Sequence, residues 1–208
     1  MNVDDGGRAG LRERKKQETR IALSWAAVQL VVERGLENVR VEDIAAAAGV
    51  APRTFNNYFS SKAEAIAARH LDRARLIAAE LRRRPPSEPL WEALRHAVAA
   101  RMALGVPTPT GAPDQQWVDG VRLMMSEPSL MGEFIKAEAT AEAELAAAVA
   151  DRTGIDLTRD LYPTLVAGAV GVAVRTAMQH WLRADPPVPF MPLVDDALDQ
   201  LARGLPLP

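Results

Sequence analysis

The chain has 208 residues, 48% of them hydrophobic and 5% aromatic, enough for one large or two small domains with a packed core. It contains no cysteine, so disulfides and thiolate metal sites are excluded. Its net charge of −2 argues against nucleic acid when taken alone, but the charge is split: residues 1–84 carry 16 Lys and Arg against 11 Asp and Glu, and residues 85–208 carry 9 against 16.

A basic first part joined to an acidic second part suits one region that faces DNA and one that faces elsewhere. The start of the chain lacks an apolar segment of the kind that directs secretion. The longest uncharged apolar run, Leu161 to Val174, is shorter than the roughly 20 residues a membrane span needs. A cytoplasmic protein with no membrane partner is the expectation.

Residues 1–10 hold paired Asp, paired Gly and no periodicity, and are expected to form a disordered arm. Residues 11–34 read as a first helix, with Ile21, Trp25, Val28, Leu30, Val31 and Val32 supplying its apolar faces. Its first turns carry Arg12, Arg14, Lys15, Lys16 and Arg20. Positive charge is unfavourable at that end of a helix, so a phosphate partner is one explanation and a solvated face the other.

The stretch from Val41 to Lys62 reads as two short helices around a tight corner. Val41, Ile44, Ala45 and Ala48 recur at helical spacing, and Glu42 and Asp43 occupy the first turn, where negative charge suits the helix dipole. Gly49 can take a positive φ and stop the helix. Val50 is expected to plug the corner, and Pro52 fits the first position of the second helix. Phe55 and Phe59, four apart, face the core. Arg53, Thr54, Asn56, Asn57 and Tyr58 then point elsewhere on about two turns, and such groups read base edges and hold phosphates. Two short helices joined by a Gly-containing turn, the second rich in polar groups, form a helix-turn-helix.

Between Leu11 and Ile66 the chain resembles the TetR family of bacterial transcriptional repressors. The resemblance is carried by Gly35, Val41-Glu42-Asp43-Ile44-Ala45, Ala48-Gly49-Val50, Thr54-Phe55, Tyr58-Phe59 and Ser61-Lys62-Ala63-Glu64. It implies that Arg53, Thr54 and Asn57 approach bases, while Tyr58 and Lys62, with Thr19 and Arg40 as further candidates, hold phosphates. The run Arg53 to Phe59 is similar to a subgroup whose C-terminal domain binds acyl-CoA-like ligands. Two positions depart from the family pattern. Arg40 stands where a Thr or Ser cap is usual, and Ala51 stands where Ser is usual. Each missing cap costs about 1 kcal/mol.

Further along, Ser61 caps a fourth helix with Glu64 at capping-box spacing. That helix runs to about residue 84, where Pro85-Pro86 stops it, and at 1.5 Å per residue it spans roughly 34 Å. A fifth helix is expected over residues 88–104, a loop over 105–113 and a sixth helix over 114–125. The seventh is expected over 129–153, the eighth from a Thr158 cap to about 184, and the ninth over 191–204. No β pattern is present. The fold expected is all-α with about nine helices. Residues 11–60 would form a three-helix helix-turn-helix domain, and 61–208 a helical ligand-binding and dimerisation domain.

Met102, Trp117, Val121, Met124, Met125, Phe134, Tyr162 and Met178 are large adaptable side chains that suit an apolar pocket, or equally a plain core. Met102, Trp117, Val121, Met124, Phe134 and Met178 are the candidate ligand contacts. Phosphates of an acyl-CoA would need an arginine such as Arg101, Arg122 or Arg175. Gly168, Ala169 and Val172 lie on a small-residue stretch of the eighth helix, which permits close approach to a neighbour within the chain. Because TetR proteins pair through their last two helices, the resemblance implies a homodimer seam there. His70, His96 and His180 lack metal-ligand spacing, and no metal or cofactor is expected.

The resulting expectation is a DNA-binding regulator, not an enzyme. It would bind a palindromic operator in double-stranded DNA as a homodimer and release it for a small hydrophobic or acyl-CoA-like effector. The alternative is an all-helical enzyme or carrier of an apolar molecule, which would need a catalytic constellation that the sequence does not display.

Overall fold

The computed structural model describes residues 4–102, 113–205 and 207. Among them the chain forms nine α-helices: α1 (Asp4–Arg34), α2 (Val41–Ala47), α3 (Pro52–Asn56), α4 (Lys62–Arg83), α5 (Leu90–Met102), α6 (Gln115–Ser126), α7 (Pro128–Thr153), α8 (Tyr162–Arg183) and α9 (Phe190–Ala202). A 3₁₀ turn at Leu36–Asn38 joins α1 to α2, and no strand occurs among the described residues. No helix there is long and apolar enough to cross a membrane.

Most boundaries fall within two residues of the periodic pattern, and three differences have local causes. Helix α1 begins at Asp4, inside the expected arm; residues 1–3 lie outside the described residues, as do 105–112 of the expected loop and the expected end of the fifth helix at 103–104. Helix α8 begins at Tyr162, because Thr158 does not cap it. The Asp156 carboxylate instead accepts hydrogen bonds from the Thr158 backbone N–H (2.9 Å) and hydroxyl (2.7 Å), closing a tight turn. Asp160 then accepts the Tyr162 N–H at 2.7 Å. The third difference is the shortness of α3, whose helical part ends at Asn56, so Asn57 and Tyr58 sit on the turn that follows.

Helix α4 is the element around which the others pack. It lies against α1 on one side and against α5 and α7 on another, and α8 and α9 complete the C-terminal part behind α7. Its Ala65, Ile66, Ala68, Ile77, Ala78 and Leu81 are buried, and small side chains there let neighbouring helices approach closely. In the middle of this surface lies Asp72, fully buried. A buried carboxylate is costly unless a cation meets it, and Arg20 of α1 does so through Nε at 3.2 Å. One turn earlier the Arg69 guanidinium lies 5.0 Å from the centre of the Trp25 ring, also on α1. The C-terminal end of α4 is held by α7. Arg152 donates to the carbonyls of Arg84 (3.1 Å), Pro85 (2.7 Å) and Glu88 (2.6 Å), which satisfies acceptors that a helix end leaves without partners.

Helices α1 and α6 meet at Gly120. A Cβ built there would stand 2.2 Å from the Val32 carbonyl oxygen and 2.8 Å from a Val32 methyl. Only hydrogen fits, because the nearest atom is backbone and cannot rotate away.

Two outcomes follow for stability. Gly120→Ala should force α6 away from α1 and destabilise the chain by about 1–3 kcal/mol, measured as a lower urea midpoint; an unchanged midpoint would mean the two helices do not touch there. Asp72→Ala removes the carboxylate that pairs Arg20 and should cost on the order of 3 kcal/mol. Arg20→Ala in the Asp72→Ala background should then add little, as a double-mutant cycle would register.

Candidate nucleic-acid interface

The corner between α2 and α3 is built from backbone hydrogen bonds. Gly49 N–H donates to the Ala46 carbonyl at 3.0 Å and Val50 N–H to the Ala45 carbonyl at 2.9 Å, the paired bonds of a Schellman stop. Gly49 has φ +69, a conformation that a residue with a Cβ adopts only with strain. Val50 packs against the buried core, as expected of a plug.

The two unusual cap positions are met differently. At the start of α2 the Asp43 carboxylate accepts the Arg40 backbone N–H at 2.9 Å. That is half of a capping box and leaves the Arg40 side chain exposed. At the start of α3, Ala51 makes no side-chain bond and Pro52 takes the first turn, where one N–H fewer needs no partner. Ser61 caps α4 as expected, its hydroxyl accepting the Glu64 N–H at 3.0 Å. Glu64 reaches one residue further back than a capping box requires, accepting from the N–H (2.8 Å) and hydroxyl (2.7 Å) of Ser60.

Phe55 and Phe59 are buried, with ring centres 5.6 Å apart. Arg20 lies over the Phe59 ring at 4.8 Å, so the residue that pairs Asp72 also touches the base of the helix-turn-helix. With both phenylalanines inward, Arg53, Asn56 and Asn57 are exposed and Thr54 and Tyr58 are half-buried. Tyr58 packs its ring on the core. The surface therefore presents a guanidinium and two amides on a short rigid rod. The Thr19 hydroxyl is turned back along α1, donating to the Lys15 carbonyl at 2.9 Å. Exposed Arg12, Arg14, Lys15 and Lys16 extend the basic surface along α1.

Lys62 has a structural task that spacing could not reveal. Its Nζ donates to the carbonyls of Leu36 (2.8 Å) and Val39 (2.7 Å), tying the first residue of α4 to the turn before α2. One of its three N–H groups is left for another acceptor. Sequence reading also missed the Asp72–Arg20 pair. The signal was there: Asp72 falls at i+7 from Ala65 and i+4 from Ala68, on a stripe that is otherwise apolar.

In the C-terminal part, Met102, Val121 and Met124 are buried, and Trp117, Phe134 and Met178 are half-buried against the same core. Met125 and Tyr162 turn outward. One cleft lies at the α1–α6 contact, lined by Val31, Val32, Leu36, Leu123, Met124 and Glu127. Another, of about 210 Å³, lies between α7 and the start of α8, lined by Ala139, Glu142, Ala143, Ala146, Leu157 and Thr164. Met124 contributes to the first; Met102, Trp117, Val121, Phe134 and Met178 line neither.

The three arginines considered for phosphates all have partners within the chain. Arg101 pairs with Glu80 and Arg175 with Glu138, while Arg122 donates to Asp119 and to the Leu182 carbonyl. Among the histidines, His96 meets Glu88 at 2.6 Å, and His180 is exposed.

On α8 the buried residues Val166, Ala167, Val170, Ala173, Ala177 and Trp181 define an inner face. The opposite face presents Leu161, Leu165 and Val172 at 76%, 65% and 46% exposure, with Gly168 between them. A Cβ on Gly168 would meet the Glu142 carboxylate of α7 at 3.6 Å, so this glycine also sits close to its own chain.

Two family models match the chain. Residues 25–68 match the bacterial regulatory proteins of the tetR family, and residues 88–206 match the MftR C-terminal domain. The HTH-type transcriptional regulator TcmR of Streptomyces glaucescens is 33% identical over 207 residues, covering 92% of this chain and 86% of TcmR. A candidate mycofactocin biosynthesis transcriptional regulator, MftR of Mycobacterium tuberculosis, is 30% identical over 197 residues, covering 92% of this chain and 93% of its own. The fold is shared with the fatty acid degradation regulator FadR of Bacillus halodurans, at a TM-score of 0.57 and 18% identity over 90% of this chain and 96% of that one. With its helix-turn-helix, its helical C-terminal part and these matches along most of its length, the chain belongs to the TetR family of DNA-binding transcriptional regulators.

Proposed function

We propose that the chain is a homodimeric repressor that holds a palindromic operator and releases it when an apolar or acyl-CoA-like effector occupies the C-terminal part. The observation that carries the DNA half is the surface of α3. Arg53 and Asn57 stand free on a rod whose other side is locked by Phe55 and Phe59. Arg53 has the donor fork for guanine, Asn57 the donor and acceptor pair for adenine, and Thr54 a hydroxyl that suits either. Tyr58, Thr19, Arg40 and the spare N–H of Lys62 are assigned to phosphates, which set register without reading sequence.

The pairing half is supported by the outward stripe of α8. Leu161, Leu165 and Val172 form an apolar row that water covers in the single chain, and a second copy across a two-fold axis would bring each row against itself. Ala169 lies beside this row and Gly168 within it. In such a dimer the two copies of α3 would enter successive major grooves, about 34–36 Å apart. The effector half draws on the kinship in fold with a regulator of fatty acid degradation and on the large flexible side chains around Met102, Met124, Phe134 and Met178.

The test begins with selection of an operator from random duplex DNA by the purified protein. A two-fold symmetric site is expected. Arg53→Ala should weaken binding to it by roughly 1–3 kcal/mol for each base that Arg53 reads and relax one position per half-site. Equal weakening on specific and nonspecific DNA would assign Arg53 to the backbone instead.

Leu165→Arg introduces charge on a residue already exposed in the single chain, so the fold should survive with unchanged helical content. Sedimentation should then report monomer, with operator binding abolished. A dimer that persists in this variant would place the seam elsewhere.

A further inference from the structure

Of the arginines in the C-terminal part and its connecting helix, Arg73 has the least expected surroundings. It lies on α4, one residue past Asp72 and one turn past Arg69. Its Nε is buried and has no hydrogen-bond partner among the described residues. Burial pushes its guanidinium down to about 10, and the next contribution is repulsion from Arg69, a second cation. The adjacent carboxylate does not serve it: Asp72 turns to α1, where its Oδ1 meets Arg20. On the same side of α4, His70 is held below its usual value first by burial and then by Arg73, while facing Glu138 of α7 and Arg175 of α8. Those last two pair with each other. Arg73 is therefore a cation drawn into the protein with another cation beside it and its nearest acids already engaged.

Such a charge is unfavourable in the empty protein. A buried, unpaired guanidinium is also a ready receptor for a planar anion, because its fork matches the two oxygens of a carboxylate or a phosphate. We infer that Arg73 is the anchor for an anionic head group, so the effector is an apolar molecule with a carboxylate or a phosphate at one end. This rests on the effector-responsive reading above and narrows it to amphiphilic anions. The position also explains how binding would reach DNA. Arg73 is one turn from Arg69, which lies over Trp25, and next to Asp72, which holds Arg20. An anion drawing Arg73 toward itself acts on the turn of α4 that is fastened to α1. Binding there shifts operator affinity only as far as the anion prefers one position of α4 to the other.

Two measurements test this, the first without any ligand. Arg73→Met keeps much of the side-chain volume and removes the charge. It should raise the melting temperature of the free protein, by roughly 2–4 °C. A lower melting temperature, with Arg73→Lys restoring wild-type stability, would show that the cation has a partner in the fold and would overturn the inference.

The second uses dodecanoate, dodecyl phosphate and 1-dodecanol, which share one apolar chain, titrated by calorimetry below their micellar concentrations. Wild type should bind at least one of the two anions ten-fold or more tighter than the alcohol, and Arg73→Met should bind all three alike. Preference for dodecanoate assigns a carboxylate, and preference for dodecyl phosphate a phosphate. Equal binding of anions and alcohol by wild type would overturn the anchor while keeping an apolar effector. Binding of none, with a raised melting temperature in Arg73→Met, would reject these chains as effectors yet keep Arg73 as an unpaired cation. Binding of none with an unchanged or lowered melting temperature would overturn the inference.

Discussion

The carboxylate of Asp72 ties the two halves of the molecule together. It is fully buried on α4 and meets Arg20 of α1 at 3.2 Å. A charge in that position has no water to fall back on, so its pairing penalises any sliding of α4 along α1. Arg20 in turn covers the ring of Phe59, which supports the helix-turn-helix from below. At its first residue α4 is held to the turn before α2 by Lys62, and at its last by Arg152 of α7. The helix is thus fastened at both ends and in the middle, to the DNA-facing part twice and to the C-terminal part once. A displacement of α7 or α5 is passed on to α1 because the polar contacts have no alternative partners at hand.

That arrangement gives the short α3 its precision. A helix of five residues has little stability of its own, and Ala51 does not cap it. It is held by what lies beneath, namely Phe55, Phe59 and the backbone-bonded corner at Gly49 and Val50. Stability borrowed from the core leaves the outer side free of structural duties. Arg53, Asn56 and Asn57 can then carry whatever chemistry the groove demands.

The C-terminal part shows a different division of labour. Its cations are largely taken up by contacts within the chain: Arg101 with Glu80, Arg122 with Asp119, Arg152 with backbone carbonyls, Arg175 with Glu138. Its apolar residues divide between an inner core and the outward row on α8. The rich supply of Ala on α4, α7 and α8 lets these helices lie close, which explains why the large candidates for an apolar site, such as Met102 and Val121, are packed into the core.

The sequence by itself determined the class of fold, the order of the nine helices and the location of the DNA-facing motif. Each of these depends on local physics: helical periodicity, the glycine at the corner, the proline stops after α4 and before α7, and the inward phenylalanines four apart. It also placed Arg53, Thr54 and Asn57 away from the core, since the spacing of Phe55 and Phe59 leaves no other face. Only the tertiary structure decided what the charged side chains do. Lys62 looks like a phosphate ligand in one dimension, but it ties down two carbonyls 23 and 26 residues away in the chain. Arg101, Arg122 and Arg175 are equivalent candidates on paper; folding gives each a partner and leaves the Arg73 Nε without one among the described residues. A long flexible cation can reach several turns or several helices, so its partner depends on which elements meet in space, and sequence spacing carries no record of that.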